Sequence, residues 1–286
     1  MIRIIGILAG LFFTLAVVWA FGNGVATVIS EGQLKPVTAE HEFHEHAHAP
    51  EGGYSFDGPF GTWDYAQLQR GYQVYKEVCS ACHSLKFVAI RDLGQLGYSE
   101  AQVKAEAASW TVPGIDPNTG EATTRPGLPT DYFPSPYPND VAARAANNNA
   151  IPPDLSLMTK ARHNGTAYVY SLLTGYQEQP AELLAEFPEA KTGVGLHYNP
   201  YFPNLNLAMA PPLTSDGQVT YAEGNPEPTI RQMSADVSAF LAWTAEPTMV
   251  KRKQTGWPVL GFLLFATILA FLAKKQIWAA AKRKDD

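Results

Sequence analysis

The five residues Cys79-Ser80-Ala81-Cys82-His83 constrain this chain more than any other feature. The spacing C-x-x-C-H is the attachment signature of a c-type haem, because thiols one helical turn apart can add to the two vinyl groups of one porphyrin. The residue after the second cysteine then presents its imidazole to the haem iron. The motif predicts that Cys79 and Cys82 carry one covalently bound haem c and that His83 is an iron ligand.

The two cysteines of this motif are the only ones in the 286 residues, which weakens two other interpretations. A zinc site would need further thiolate or imidazole ligands, and no second C-x-x-C supplies them. A thioredoxin-like dithiol would need neither His83 nor a membrane anchor, and the chain lacks the βαβ pattern of such proteins. Covalent haem is therefore the interpretation that these residues favour.

Two apolar runs, residues 4–21 and residues 256–273, are long enough to span a bilayer. A helix of this length extends about 27 Å, close to the roughly 30 Å of the hydrocarbon core. We expect residues 1–24 to be a signal peptide or N-terminal anchor. Residues 251–286 are expected to be a C-terminal transmembrane anchor with a basic cytoplasmic tail, so the lipid bilayer is one partner of this chain.

The basic residues around the second run predict its orientation. Five Lys or Arg follow the run and three precede it, a bias that favours a cytoplasmic C-terminus. The chain would then sit in the inner (cell) membrane of a bacterium, with its soluble part facing the periplasm. A mitochondrial presequence is disfavoured, because the N-terminal run is not rich in Arg and Ser.

A linker and a soluble domain are expected between the two runs. Residues 25–53 form an acidic segment flanked by Pro and Gly, which predicts an exposed linker. Its histidines are His41, His44, His46 and His48. Without a scaffold to order them, these histidines favour adventitious metal binding over a designed site. Residues 54–250 are expected to form the periplasmic haem domain.

The soluble part is strongly acidic. Residues 24–250 carry 12 basic and 25 acidic side chains, a balance of −13. Such a surface suits a basic protein partner and disfavours nucleic acid.

The periodicity of the soluble part predicts a mainly α domain with long loop insertions. An N-terminal and a C-terminal helix around a covalent haem resemble the plan of small c-type cytochromes, so we expect a cytochrome c-like haem domain. Apolar residues recur at helical spacing from Tyr65 to Cys79, which predicts a helix that runs into the haem motif. Ser99 with Gln102, and Thr229 with Gln232, resemble capping boxes that open two further helices.

Prolines and glycines limit the predicted helices to parts of the soluble domain. Seven prolines in residues 111–140 exclude long regular elements there. We expect a helix after Asp154, another over residues 166–174 that Gly175 stops, and loop over residues 193–228. Pro247 separates the last soluble helix from the anchor.

A ligand for the sixth position of the iron is also needed. The candidates are His163, His197, Met158, Met209, Met233 and Met249. Met209 stands out, because it lies between alanines and is followed by two prolines, so its thioether can approach iron on an uncrowded loop. Local sequence favours Met209 over the two histidines and leaves all three open.

Several longer stretches, in order from about Gly58 to the C-terminal anchor, are more specific than C-x-x-C-H. They are residues 145–148, 152–156, 161–163, 168, 171–176, 199–203, 209–212 and 243–247. Together they resemble the cytochrome c1 family, the haem subunits of the ubiquinol–cytochrome c reductase (bc1) complex. The His-rich linker and the long N-terminal run fall outside this resemblance.

The resemblance implies roles for particular residues. Met209 would be the sixth ligand, so that His83 and Met209 hold the iron from its two faces. Arg162 and Tyr168 would be partners of a haem propionate, since a guanidinium offers paired donors to a carboxylate.

The resemblance also implies the function. The haem would accept one electron from the Rieske iron–sulfur protein and pass it to a soluble or anchored c-type cytochrome, within a complex that contains cytochrome b. This chain would be a carrier subunit of an enzyme complex, without catalytic residues, because both axial positions of the iron are filled. The alternative is a haem subunit of another membrane oxidoreductase, such as a terminal oxidase, which should lack the block from residues 199 to 212.

Overall fold

The computed structural model describes residues 2–31 and 38–282, and the fold is mainly α-helical, as predicted. The helices are α1 (Ile2–Glu31), α2 (Ala39–Phe43), α3 (Tyr65–Glu77), α4 (Glu100–Ser109), α5 (Asp140–Ala146), α6 (Met158–Ala161), α7 (Gly165–Thr174), α8 (Ala181–Glu186), α9 (Ile230–Ala245) and α10 (Met249–Lys282). Two antiparallel hairpins pair β1 (Thr111–Ile115) with β2 (Ala122–Pro126) and β3 (His197–Tyr198) with β4 (Asn206–Leu207). Short 3-10 helices span Cys79–Ala81, Ile90–Leu96 and Pro188–Ala190.

Helices α3 and α9 cross at the centre of the soluble domain. Tyr75 on α3 and Phe240 on α9 are fully buried, and their rings lie 5.9 Å apart. A Cβ on Gly71 would lie 2.0 Å from the carbonyl oxygen of Asp236, so only glycine permits this close approach. The crossing confirms the helix predicted from Tyr65 towards the haem motif.

A buried carboxylate ties the two helices together. Asp236 on α9 is fully buried and accepts from the Arg70 guanidinium at 2.9 Å. It also accepts from the side-chain amides of Gln67 at 3.1 Å and Gln232 at 2.9 Å. A buried charge needs such partners, since an unpaired one would be strongly destabilising.

One of the two predicted capping boxes is complete. At the start of α4, Ser99 Oγ accepts from Gln102 N at 3.3 Å, and Gln102 Oε1 accepts from Ser99 N at 2.8 Å. At the start of α9, Thr229 Oγ1 accepts from Gln232 N at 3.1 Å. The return bond predicted there is wrong, because the Gln232 side chain donates to Asp236 instead.

The proline-rich and loop segments contain only short elements. Residues 111–140 contain the β1–β2 hairpin, which the sequence analysis did not predict. The helix expected after Asp154 is the single turn α6, whereas α7 occupies the predicted stretch and ends before Gly175. Apart from the two-residue strands β3 and β4, residues 193–228 form loops, as expected.

The His-rich segment differs from the exposed linker that we expected. Its histidine side chains are exposed, but its backbone packs on the domain. Glu45 N donates to Pro200 O at 2.9 Å, and His48 N donates to the buried Ser171 Oγ at 2.8 Å. Phe43 also meets Phe187 edge to face at 6.3 Å. Apolar residues among the histidines explain this packing, and residues 32–37 of the segment lie outside the described residues.

Helices α1 and α10 are each long and apolar enough to cross a membrane, and their apolar windows are not covered by other described residues. Helix α10 begins at Met249, after the break that Pro247 was predicted to make. Helix α1 continues to Glu31, so the boundary predicted at residue 24 falls within a helix. The last residues of the basic tail, 283–286, lie outside the described part.

Candidate haem site

The haem motif forms a tight turn at the end of α3. Cys79 begins a 3-10 helix, and its carbonyl oxygen accepts from Cys82 N at 3.1 Å and from His83 N at 2.9 Å. Both thiols are half-buried and are not joined in a disulfide. Burial raises the pKa of the Cys79 thiol to about 12.

The imidazole of His83 is oriented by the backbone of a distant segment. Its Nδ1 lies 2.8 Å from the carbonyl oxygen of Pro153, a contact that assigns the proton to Nδ1 and leaves Nε2 free as a ligand. Burial lowers the pKa of His83, so the ring is neutral, as metal ligation requires. The hydroxyl of Tyr75 also donates to the His83 carbonyl at 3.1 Å.

The segment after Pro153 is fixed to the turn by several hydrogen bonds. Asp154 Oδ2 accepts from Ser84 Oγ at 2.7 Å and from Lys86 N at 2.8 Å. Leu155 N donates to the Ser84 carbonyl at 2.9 Å. Pro153 and Asp154 are thus positioning residues that sequence reasoning missed. They lie in one of the stretches that carry the family resemblance, which is the signal that could have found them.

Met209 lies on a loop after β4 and is half-buried. Its carbonyl oxygen accepts from the hydroxyl of Tyr176 at 3.0 Å. The neighbouring loop is held by Asn199, whose side-chain amide donates to Leu172 O at 2.8 Å. A Cβ on Gly175 would lie 2.4 Å from the Tyr201 ring, so this region also depends on a glycine.

The other sixth-ligand candidates have different surroundings. Met158 and Met233 are buried in the apolar core, where packing explains them. Met249 begins α10, and His163 is exposed beyond α6. His197 is half-buried on β3.

The residues predicted to bind a haem propionate are a buried tyrosine and an exposed arginine. Tyr168 is buried on α7, and Arg162 follows α6 with its side chain exposed. Burial raises the pKa of Tyr168, and the Arg162 guanidinium opposes that rise. Arg162 Nη1 donates to Ala161 O at 3.1 Å. A guanidinium and a phenol hydroxyl are both donors that suit a carboxylate.

These residues fit a covalently bound haem better than a bare metal ion. In the described residues, no group of three or more His, Cys, Asp or Glu side chains could hold a metal. The donors present are two adjacent thiols, one neutral imidazole with a free Nε2, and a thioether on a loop. A porphyrin supplies the four equatorial ligands that this set lacks.

Comparison with known proteins places the chain in a family. The model of the "Cytochrome C1 family" matches residues 54–281. Cytochrome c1 of Rhodospirillum rubrum is 44% identical over 257 residues, covering 82% of this chain and 92% of the relative. The mitochondrial cytochrome c1 haem protein of Saccharomyces cerevisiae is 45% identical over 246 residues, covering 86% of this chain and 76% of that one.

A further relative is a longer protein. "Cytochrome b/c1" of Bradyrhizobium diazoefficiens is 46% identical over 245 residues, 80% of this chain, and the match spans only 35% of that relative's length. The family model covers most of the present chain, including both the C-x-x-C-H turn and the Met209 loop. The chain therefore belongs to the cytochrome c1 family.

Proposed function

We propose that this chain is the electron-carrying haem subunit of a bc1 complex. Its one covalently bound haem c accepts an electron from the Rieske iron–sulfur protein and passes it to a c-type cytochrome. The observation that carries the proposal is the pairing of a C-x-x-C-H turn, whose His83 is fixed by Pro153, with a cytochrome c1 family match that runs through the Met209 loop.

The axial ligands decide what kind of haem protein this is. The haem, when bound, supplies one-electron iron chemistry. Cys79 and Cys82 would hold it covalently, and His83, through Nε2, and Met209 would both bind its iron. With both of these ligands supplied by the protein, no substrate would reach the iron, and the chain would carry electrons without transforming a substrate itself.

Arg162 and Tyr168 bind a haem propionate in this proposal. A guanidinium and a phenol hydroxyl are both donors to a carboxylate, which supports the assignment. Paired donors next to a low-dielectric haem stabilise the ionised carboxylate and fix the orientation of the macrocycle in its pocket.

The remaining parts of the chain place the haem in the complex. Residues 54–250 form the haem domain on the periplasmic side of the cell membrane, and residues 251–286 anchor it beside cytochrome b. In spheroplasts, added protease should digest the haem domain and spare an epitope placed after Lys284. The reverse protection pattern would overturn this orientation.

The acidic surface suits a basic electron acceptor. Charge over a wide surface steers association at low salt and is screened above a Debye length of about 8 Å at physiological ionic strength. We expect electron transfer to a basic c-type cytochrome to slow as salt rises. A rate that does not change with salt would exclude steering.

A single-turnover experiment on the purified complex tests the proposal. Quinol should reduce the haem of this chain, and reduction should be lost when the Rieske protein is removed and restored when it is added back. Denaturing electrophoresis with haem staining should show the haem on this chain. Haem that extracts into acid acetone, or reduction that does not need the Rieske protein, would contradict the proposal.

A further inference from the structure

The first turns of α10 are bonded to the soluble domain through side chains. The ammonium group of Lys253 donates to the carbonyl oxygens of Phe56 and Gly58, each at 2.7 Å. Glu246, at the end of α9, pairs with both Lys160 and Arg252. These contacts fix the position of the soluble domain along the first turns of α10.

The loop that Lys253 holds is shaped to present one aromatic ring. Gly58 has a left-handed backbone with φ +67°, and a Cβ on Gly61 would lie 2.3 Å from the carbonyl oxygen of Asp57. The chain is therefore folded back tightly at residues 57–61. At its tip Phe60 is 78% exposed, which is unusual for so large an apolar side chain.

The exposed ring lies against the membrane helix. Phe60 stacks on Trp257, with ring centroids 5.2 Å apart and planes at 13°. Trp257 stands at the beginning of the apolar run of α10, where aromatic rings occupy the boundary between headgroups and acyl chains. Phe60 must then lie at the same depth.

Two basic residues precede Trp257 on α10. Lys251 and Arg252 lie less than two turns before Trp257, at the end of α10 nearest the soluble domain, and both are exposed, although Arg252 also pairs with Glu246. Cations at this level meet lipid phosphates, and anionic lipids attract them.

We propose that Phe60, Trp257, Lys251 and Arg252 form a membrane-surface contact, here called the juxtamembrane foot, that rests in the interfacial layer of the bilayer and prefers anionic headgroups. The foot gives the haem domain a second point of support on the membrane besides α10 itself. It rests on the proposal that α10 spans the bilayer and not on the electron-transfer role of the haem.

Site-directed spin labelling of the full haem-loaded chain tests the foot. With the native thiols in thioether bonds, Phe60→Cys introduces the single reactive thiol, at an exposed position where folding is little affected. The labelled protein is placed in vesicles of phosphatidylcholine, with or without phosphatidylglycerol. Leu264→Cys, in the middle of α10, reports whether the helix spans, and Ile115→Cys, exposed on the β1–β2 hairpin, is the aqueous control.

Oxygen concentrates in the bilayer, whereas a water-soluble nickel chelate stays in water. We expect oxygen to relax the labels at positions 60 and 264 faster than the nickel chelate does. The label at position 115 should show the opposite order. If nickel relaxes the label at position 60 faster and oxygen relaxes the label at position 264 faster, the juxtamembrane foot is wrong but α10 still spans the bilayer. If nickel also relaxes the label at position 264 faster, the proposal that α10 spans the bilayer is wrong as well. A label at 60 reached by neither reagent would mean a protein partner covers it and would overturn the lipid contact.

The lipid preference has its own test. Phosphatidylglycerol should shift the label at 60 deeper, and Lys251→Gln should reduce that shift. Equal depth in both kinds of vesicle would overturn the anionic preference.

Discussion

The two sides of the proposed haem site are built in different ways. The proximal side consists of α3, α9 and the Cys79–His83 turn, and its centre is fully buried helix packing. The distal side, residues 193–213, consists of two-residue strands and loops, with Leu205 at a φ of +64°. The Met209 carbonyl there accepts from the hydroxyl of Tyr176, and the neighbouring loop is held by the bond from Asn199 to Leu172.

This difference predicts different consequences of mutation. Changes on the proximal side alter dense packing and a buried charge network, so they should affect the stability of the whole domain. Changes on the distal side remove single hydrogen bonds, each contributing about 1 kcal/mol, so they should alter ligation more than folding.

The largest effect should come from Asp236→Ala on the proximal side. It leaves the Arg70 guanidinium without its partner in a nearly buried position, and loss of one partner of a buried pair costs about 4 kcal/mol. Chemical denaturation of the holoprotein measures this. Glu100→Ala, which breaks an exposed pair with Lys104, is the control and should leave the stability nearly unchanged. Equal effects of the two changes would contradict the account of the crossing.

Gly71→Ala should come next. Its Cβ meets the backbone of α9 at 2.0 Å, so the helices must separate, and overpacking of this kind costs about 3 kcal/mol. The yield of haem-stained protein and its denaturation midpoint should both fall. Gly94→Ala is the matched control, because nothing lies within 4 Å of its added Cβ. A neutral Gly71→Ala would mean that the helices do not cross this closely.

Tyr176→Phe tests the distal side. Removing the hydroxyl frees the Met209 carbonyl, which should lower stability by only about 1 kcal/mol. The weak red absorption band of methionine-ligated ferric haem should nevertheless be lost at lower temperature than in the parent protein. Tyr132→Phe, at an exposed tyrosine, should leave the band unchanged. A large loss of stability with an unchanged band would reverse the assignment of roles.

The smallest effect should come from acid acting on the ion pair between Arg125 on β2 and Asp131 just after it. The Arg125 guanidinium lowers the pKa of Asp131 to about 2, from an ordinary 3.8. The folded-state pKa is depressed, so the pair stabilises the domain above the ordinary pKa and its contribution is lost as pH falls towards 2. The stability difference between the parent and Asp131→Asn should shrink from pH 5 to pH 2, by less than about 1 kcal/mol. If the stability difference between the parent and Asp131→Asn stays the same from pH 5 to pH 2, this ion pair does not contribute to the loss of stability in acid.

The sequence predicted the proximal side well for a physical reason. Apolar spacing from Tyr65 onwards and the C-x-x-C-H turn are local patterns, and local hydrogen bonds and helix periodicity determine their structure. Local patterns of the same kind predicted α7, α9 and the break at Pro247.

What could not be predicted depends on contacts between distant residues. The carbonyl of Pro153 reaches His83 across 70 positions of the chain, and no local pattern marks it. Gln232 fits a capping box in sequence, but the buried Asp236 attracts its side chain. The His-rich segment has a linker's composition, and contacts with distant residues, among them the buried Ser171 hydroxyl and the Phe187 ring, explain why it packs on the domain.

The central claim is that His83 and Met209 hold the same iron. The most direct measurement is the redox potential and carbon monoxide binding of Met209→Leu in the purified holoprotein, with Met158→Leu as the buried-methionine control. We predict carbon monoxide binding and a fall in potential of about 0.1 V or more for Met209→Leu, since axial ligation tunes haem potentials over roughly 0.8 V. The control should show neither. An unchanged potential without carbon monoxide binding in Met209→Leu would contradict the account and direct attention to His163 or His197.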